Sequence, residues 1–355
     1  MTGTLRRSPL AAAHERLGAR LVEFAGWDMP LQYEGVVAEH RAVRERVGVF
    51  DVSHLGKLRI SGDGEALQHA LTADCLGLDV GRAAYSLVLT DDAGCIDDVF
   101  VYRLAEDEWL VVPNAANVDA VAAAIAESAG NPVDEWERWA ILAIQGPESF
   151  DLFERAFPDA GARDMSLHQW QELDILGRTG LVARTGYTGE RGYELYAPAE
   201  VALAAFERML ELGGRPVGLG ARDTLRLEMG YALYGHELTL DINPLEASLG
   251  WTIAWDKEFR GKKVLARVKA EGPARKLVGV VCNDRGVPRQ GYAVYVGEQR
   301  IGELTSGNFS PTLGTGIGLA LVDAARLPSP GDRVEIEARG RRIAGDIVKP
   351  PFVKR

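Results

Sequence analysis

Two adjacent carboxylates open the search for chemistry, in the stretch Gly94-Cys95-Ile96-Asp97-Asp98-Val99-Phe100-Val101-Tyr102. Neighbours on a strand face opposite sides, so Asp97 and Asp98 cannot both be solvated if one face packs on a core. One of them is expected to point into a cavity or cleft; a turn acid at a strand start is the plainer account. Glu194 is a second unexpected acid, set among Tyr193, Leu195 and Tyr196 after the Gly-punctuated run Tyr187-Thr188-Gly189-Glu190-Arg191-Gly192. A buried carboxylate needs partners, and a ligand offering two parallel N–H groups would be one. A hairpin turn would account for the loop alone. The stretch Gly218-Leu219-Gly220-Ala221-Arg222-Asp223 has the outline of a nucleotide fingerprint, but it lacks the third glycine and a strong preceding strand, so a Rossmann site is rejected. A helix beginning at Arg222 or Asp223 could hold an anion at its N-terminus. Ordinary helix surface charge accounts better for Arg226 and Glu228. The aromatic-rich Phe24-Ala25-Gly26-Trp27-Asp28-Met29-Pro30-Leu31-Gln32-Tyr33 has no period and reads as a plug in the core or as a functional loop.

Other chemistries find little support. The histidines, His14, His40, His54, His69, His168 and His236, make no ligand spacing for a metal, and there is no G-x-S-x-G elbow. Cys75, Cys95 and Cys282 are far apart and odd in number, which implies reduced, structural thiols. With 51 acidic against 40 basic residues the formal charge is -11, a field that repels polyanions and argues against nucleic-acid binding. No run approaches the ~18 apolar residues of a membrane span. A soluble, cytoplasmic protein is the expectation.

The elements that would position these residues follow from periodicity. At 355 residues the chain has room for more than one domain. The apolar run ending at Gly62 in LRISGDGEAL has a counterpart ending at Gly146 in ILAIQGPESF, and Trp109-Leu110-Val111-Val112-Pro113 has one in Tyr193-Glu194-Leu195-Tyr196-Ala197. Each is followed by a helical pattern, so residues of about 57–128 and 141–212 read as two copies of a β-α-β-β-α unit of the ferredoxin-like kind. Coincidence between common α+β patterns is the alternative. Beyond about Lys276 the texture changes to short Val/Ile/Tyr runs with Gly, Pro and Asp turns, which predicts an all-β barrel or sandwich. The division predicted is a body over 1–272 and a β-domain over 273–355. Gly314-Thr315-Gly316-Ile317-Gly318 reads as a tightly packed strand rather than a phosphate loop.

Taken in order, GWDMPLQY, FDVSHLGKLRI, GCIDDVFVY, VVPNAAN, RTGYTGERGYEL, GLGARDTLRLEMGYALYGHEL, NPLEASLGW, FRGKKVL and TSGNFSPTLGTGIGLALV resemble the T-protein (aminomethyltransferase) family of the glycine cleavage system, from near residue 8 to the C-terminus. The resemblance implies an α+β fold, three-lobed and cloverleaf-like, with duplicated ferredoxin-like units and a C-terminal β-barrel. It implies transfer of a methylene carbon from the aminomethyl-lipoyl arm of H-protein to tetrahydrofolate, with 5,10-methylenetetrahydrofolate, ammonia and dihydrolipoyl H-protein as products. Tetrahydrofolate would be a co-substrate, with no metal, flavin or nicotinamide. Lipoylated H-protein would be the partner, without nucleic acid or membrane. Residue by residue, Asp98 matches the family's key carboxylate beside the folate amines, and Tyr85 and Tyr102 match aromatic positions around the pterin. Asn114 lies in the matching V-x-N-A motif, Tyr187, Glu194 and Arg222 fall on folate-contacting positions, and Trp255 matches a further one, with Trp251 nearby. Arg289 could add local positive charge, a contact from Lys354 or Arg355 in the tail PFVKR is open, and Arg260, Lys262 and Lys263 could dock an acidic partner or form a solvated face. A flavin-linked folate demethylase and a non-catalytic folate-binding protein are the competing readings.

Overall fold

The computed structural model describes residues 4–62 and 64–355, a mixed α+β chain ending in a closed six-stranded barrel. The aromatic-rich segment near the chain start is a strand. Arg20–Phe24 and Trp27–Gln32 form a hairpin whose turn residues, Ala25 and Gly26, both take positive φ, and Arg6–Arg7 pairs with Trp27 and Asp28 on the far side. Trp27 and Met29 are buried, and the Arg6 guanidinium lies 5.0 Å from the centre of the Trp27 ring.

Two further sheets carry the body. One has the order Trp170–Ile175, Arg178–Ala183, Gly192–Ala197, Ala140–Gln145, Gly48–Asp51, Arg215–Val217. Its central strands are continuous apolar runs because both faces are covered. On one face Leu142, Ile144, Tyr193 and Leu195 pack against Phe150 and Phe153 of the helix Ser149–Ala156 and Phe206 and Met209 of the helix Ala199–Glu211. By the two-residue period, Glu194 and Tyr196 occupy the opposite face. The other sheet has the order Ala83–Leu89, Cys95–Ala105, Glu108–Val112, Leu58–Ser61, Val133–Asp134.

In both runs, 58–134 and 140–217, the elements follow as strand, helix, three strands, helix, strand. The sequence pattern implied a strand pair between the helices; Ala83–Leu89 and Trp170–Ile175 are the additional strands. The first strand of each run leads into a glycine of positive φ, Gly62 at 114° and Gly146 at 134°. At Gly146 a Cβ would stand 2.4 Å from the Arg46 carbonyl oxygen, so only glycine fits.

The barrel closes in the order Arg275–Cys282, Thr315–Asp323, Gln299–Ser310, Ala293–Val296, Arg333–Ala338, Arg341–Val348. Closure leaves no unpaired edge, and Val280, Ile301, Leu304, Val322, Ile336 and Ile347 fill the interior. Gly316 sits within a strand, where a Cβ would come 2.5 Å from the Gly286 carbonyl oxygen, in line with a tightly packed strand. Cys75, Cys95 and Cys282 are buried, and none is in a disulfide among the described residues.

By internal contacts the chain falls into two compact units. One comprises residues 1–67, 75–85 and 99–223; the other comprises 68–74, 86–98 and 224–355. The second unit corrects one expectation. Arg226 and Glu228 are not surface charges but are buried, at 2% and 0% exposure. Arg226 Nη1 reaches Glu237 Oε2 at 3.1 Å and Nη2 donates to Ser306 Oγ at 2.9 Å. Glu228 accepts from the hydroxyls of Ser310 at 2.5 Å and Thr312 at 2.9 Å. Ser306, Ser310 and Thr312 lie about eighty residues downstream and Glu237 lies beyond the helix, so no local charge pattern announces the burial. Among the described residues no helix is long and apolar enough to cross a membrane.

Candidate active site

A carboxylate taken out of water keeps its charge only where donors replace the lost solvent. Glu194 is 7% exposed, on the sheet face turned away from the Phe150 and Phe206 core. Thr185 donates its hydroxyl to Glu194 Oε2 at 2.5 Å. The Tyr102 hydroxyl lies 3.4 Å from Thr185 Oγ1 and 3.1 Å from the Tyr196 hydroxyl, and the two tyrosine rings meet edge to face at 5.8 Å. Burial raises the Glu194 carboxyl above the usual carboxylate range, and the Thr185 hydrogen bond, the Arg222 charge and the Tyr102 hydroxyl act against it. A carboxylate can accept about four hydrogen bonds, so this one has capacity for a ligand's N–H groups.

The loop before Glu194 spends its polar groups on its own shape. Thr188 donates to Gln145 Oε1 at 2.8 Å, and Gln145 Nε2 donates to the Thr185 carbonyl at 3.1 Å. Arg44 Nη1 donates to the Thr188 carbonyl at 2.7 Å and to Glu190 Oε1 at 2.9 Å. A Cβ on Gly186 would meet Gln145 Oε1 at 2.0 Å, so a larger residue there would push aside the amide that holds the loop. So fixed, the loop presents the half-buried Tyr187 ring beneath Arg222, whose guanidinium carbon is 4.8 Å from the ring centre. Arg222 lies inside the helix Leu219–Glu228, not at its start; the expectation that Arg222 or Asp223 opens the helix is corrected by three or four residues.

An aromatic row lies on the strand Cys95–Ala105 and its neighbour. Phe100 stands 5.8 Å from Tyr85, 6.2 Å from Tyr102 and 5.6 Å from His168, ring centre to ring centre. Tyr102 is fully buried, with its hydroxyl committed to the Glu194 network, and Tyr85 and Phe100 are half-buried. Of the acid pair, Asp97 is sealed at 0% exposure, while Asp98 is half-buried and shares its strand face with Phe100 and Tyr102. Asn114 is half-buried at the turn before Ala115–Asn117, where its carbonyl accepts from Asn117 N at 3.0 Å.

A second buried network holds the end of the strand Gly48–Asp51. Tyr33 and His14 meet hydroxyl to Nδ1 at 2.9 Å, and His14 Nε2 lies 2.8 Å from Asp51 Oδ2, which the Ser8 hydroxyl also reaches. Burial would raise the Asp51 carboxyl, but His14, Ser53 and Ser8 together hold it at about 2. Asp51 Oδ1 accepts from Ser53 N at 2.9 Å, fixing the turn that carries His54.

The second unit holds the remaining positions. Trp255 is half-buried, 6.3 Å from Phe259, with Lys269 Nζ 4.0 Å from the centre of its ring; Trp251 is 71% exposed. Arg289 is exposed and donates to Asn308 Oδ1 at 3.2 Å. Lys262 pairs with Glu258 at 2.8 Å.

The structure thus brings Tyr102, Tyr187, Glu194 and Arg222 into one cluster and adds Thr185, Tyr196 and Phe100; the charge of Arg222 also acts on His54, and sequence reasoning singled out none of these four. Thr185 and Tyr196 sit in the motif RTGYTGERGYEL but carry no charge, and His54 offers no ligand spacing; only their neighbours in space reveal them.

A mixed α+β body followed by a C-terminal barrel is the domain arrangement of one known class. Residues 10–257 match the GCVT N-terminal domain, and residues 275–354 match the glycine cleavage T-protein C-terminal barrel domain. The chain belongs to the glycine cleavage T-protein family. It is 41% identical to an aminomethyltransferase of Halothermothrix orenii over 98% of this chain and 100% of that protein. It is 46% identical to one of Mycobacterium bovis over 98% of this chain and 97% of that protein. Its structure superposes on the crystal structure of glycine cleavage system aminomethyltransferase T from Bartonella henselae with a TM-score of 0.92 at 34% identity, covering 98% of both chains.

Proposed function

We propose that the chain is the aminomethyltransferase of glycine cleavage: it takes the methylene carbon from the aminomethyl-lipoyl arm of H-protein and passes it to tetrahydrofolate. The products are 5,10-methylenetetrahydrofolate, ammonia and dihydrolipoyl H-protein. The observation that carries this reading is the buried Glu194 carboxylate, set up by Thr185 and Tyr102 and flanked by Arg222 over Tyr187. A pterin presents an amino group and a ring N–H side by side, and a carboxylate accepts both in a fork. Full-length similarity to aminomethyltransferases supports the reaction class. Tetrahydrofolate as co-substrate supplies the two nitrogens that receive the one-carbon unit.

The chain's own residues must bind, orient and move a proton. Glu194 orients the pterin by its N–H edge. Tyr85, Phe100 and Tyr187 supply ring surface for a flat heterocycle. Arg222 gives a local positive charge to a substrate that ends in carboxylates, against the chain's net charge of -11. Asp98 holds the arylamine nitrogen by a hydrogen bond and accepts its proton on ring closure, a general-base contribution of ~10²–10⁴-fold. Asn114 and Trp255 complete the contacts. On the same reading the two body runs are copies of one ferredoxin-like unit in a three-lobed protein, with the body ending near residue 272. The protein works in the cytoplasm.

The test is ammonia release from aminomethylated H-protein with and without tetrahydrofolate. Dependence on both is expected; release independent of either overturns the reading. For Asp98→Asn, turnover is expected to fall well beyond tenfold, and a loss smaller than that, about 1.4 kcal/mol in barrier, removes the catalytic role.

A further inference from the structure

The turn after the strand Gly48–Asp51 is tied down at nearly every polar atom. Ser53 N donates to Asp51 Oδ1 at 2.9 Å, Lys57 Nζ donates to the Ser53 carbonyl at 2.7 Å, and Ser53 Oγ accepts from Ile141 N at 3.0 Å. Leu55 N donates to the Val52 carbonyl at 3.1 Å, and Gly56 N to the Pro113 carbonyl at 2.9 Å. His54 is the exception. Its side chain is 4% exposed, and Nδ1 is buried without a hydrogen-bond partner among the described residues. An unmade hydrogen bond at a buried polar atom destabilises the fold, and a rigid, otherwise satisfied turn has no structural reason to carry one.

The surroundings say what would meet that nitrogen. Phe24 packs edge-on against the imidazole at 5.5 Å. Arg222, the residue stacked on Tyr187 and bearing on Glu194, lies close enough for its charge to oppose protonation of the ring, and burial acts the same way; Asp51 pulls the other way without prevailing, and the ring stays neutral down to about pH 3. A neutral imidazole beside a guanidinium is a hydrogen-bonding group that adds no second cation. It suits a polar heterocycle edge that Arg222, a donor only, cannot satisfy alone.

We infer that His54 is a further binding residue of the same site, its Nδ1 reserved for a hydrogen bond to the N–H and carbonyl edge of the bound heterocycle. The inference rests on the tetrahydrofolate reading above. His54 thereby acts in binding, not in proton transfer, and the ordered turn presents it without further reorganisation.

The experiment measures equilibrium binding of tetrahydrofolate to the full-length chain, with thermal unfolding of each variant alongside. His54→Phe fills the space without the nitrogen, His54→Asn places a polar atom near the position of Nδ1, and His54→Gln places one near Nε2. Expected are a loss of about tenfold or more in affinity for His54→Phe and His54→Gln, and affinity within about threefold of wild type for His54→Asn. His54→Phe should unfold at or above the wild-type temperature, because it removes an unpaired polar atom, which separates a binding loss from a folding loss. If wild type binds and all variants bind equally, or if His54→Gln and not His54→Asn restores affinity, the assignment of Nδ1 is overturned. If wild type itself does not bind tetrahydrofolate, the folate reading falls first, and this inference with it.

Discussion

Glu194 and Thr185 set the terms at the residue scale. Glu194→Gln removes an acceptor and inserts a donor where a ligand's N–H groups should arrive, so tetrahydrofolate affinity is expected to fall about tenfold or more, as for other charged hydrogen bonds. Equilibrium titration reads this, and unchanged affinity would remove the fork. Thr185→Ser keeps the hydroxyl and should preserve binding. Lys57 offers a different test. It is fully buried, with Nζ on the Ser53 carbonyl, and burial outweighs the attraction of Asp51 and Asp134 to bring its ammonium down to about 7 from 10.5. The folded chain therefore binds fewer protons than the unfolded chain between those values, and stability from this group rises with pH through that window. Denaturant unfolding of wild type minus Lys57→Met should show that rise between pH 7 and pH 10. A flat difference would mean that Lys57 stays charged when folded.

For elements, the helix Leu219–Glu228 shows how far local pattern carries. Its existence was legible, with its start expected three or four residues late, and its chemistry lay in Arg222. The fate of Arg226 and Glu228 was not, because Glu237, Ser306 and Ser310 complete them only once the barrel strand Gln299–Ser310 is in place. Removing one partner of a buried ion pair leaves the other charge stranded, at a cost of ~3–5 kcal/mol. Glu237→Gln should lower the unfolding temperature by several degrees, whereas a paired apolar replacement, Arg226→Met with Glu237→Leu, should recover most of it. The barrel strands were readable because alternation such as Val334, Ile336 inside and Arg333, Glu335 outside is local. The strand Ala83–Leu89 was missed. Its residues are buried from Ser86 onward, so it gives no alternation to find.

On the scale of the whole molecule, the acid side of stability follows from two groups. Asp51, held at about 2 against 3.8, contributes stability that is present above the unfolded value and lost as pH falls toward 2. His54, neutral in the fold down to about 3 against 6.5, contributes a loss that begins as pH falls below 6.5, when the unfolded chain takes up the proton first. Acid unfolding should therefore begin earlier in wild type than in His54→Phe, as circular dichroism against pH would record. A net charge of -11 was legible from composition; the placement of Arg222, Glu194 and Asp51 against it was not, since that depends on residues brought together from across the chain.

The interleaving of the two compact units has a consequence for synthesis. Residues 68–74 and 86–98 belong to a unit whose remaining members begin at residue 224 and run to 355. A ribosome delivers these early pieces more than a hundred residues before the rest of their unit, so that unit cannot close until the last strands have emerged. Nascent chains arrested near residue 230 should yield to protease at segments 68–74 and 86–98, and released full-length chains should resist at both.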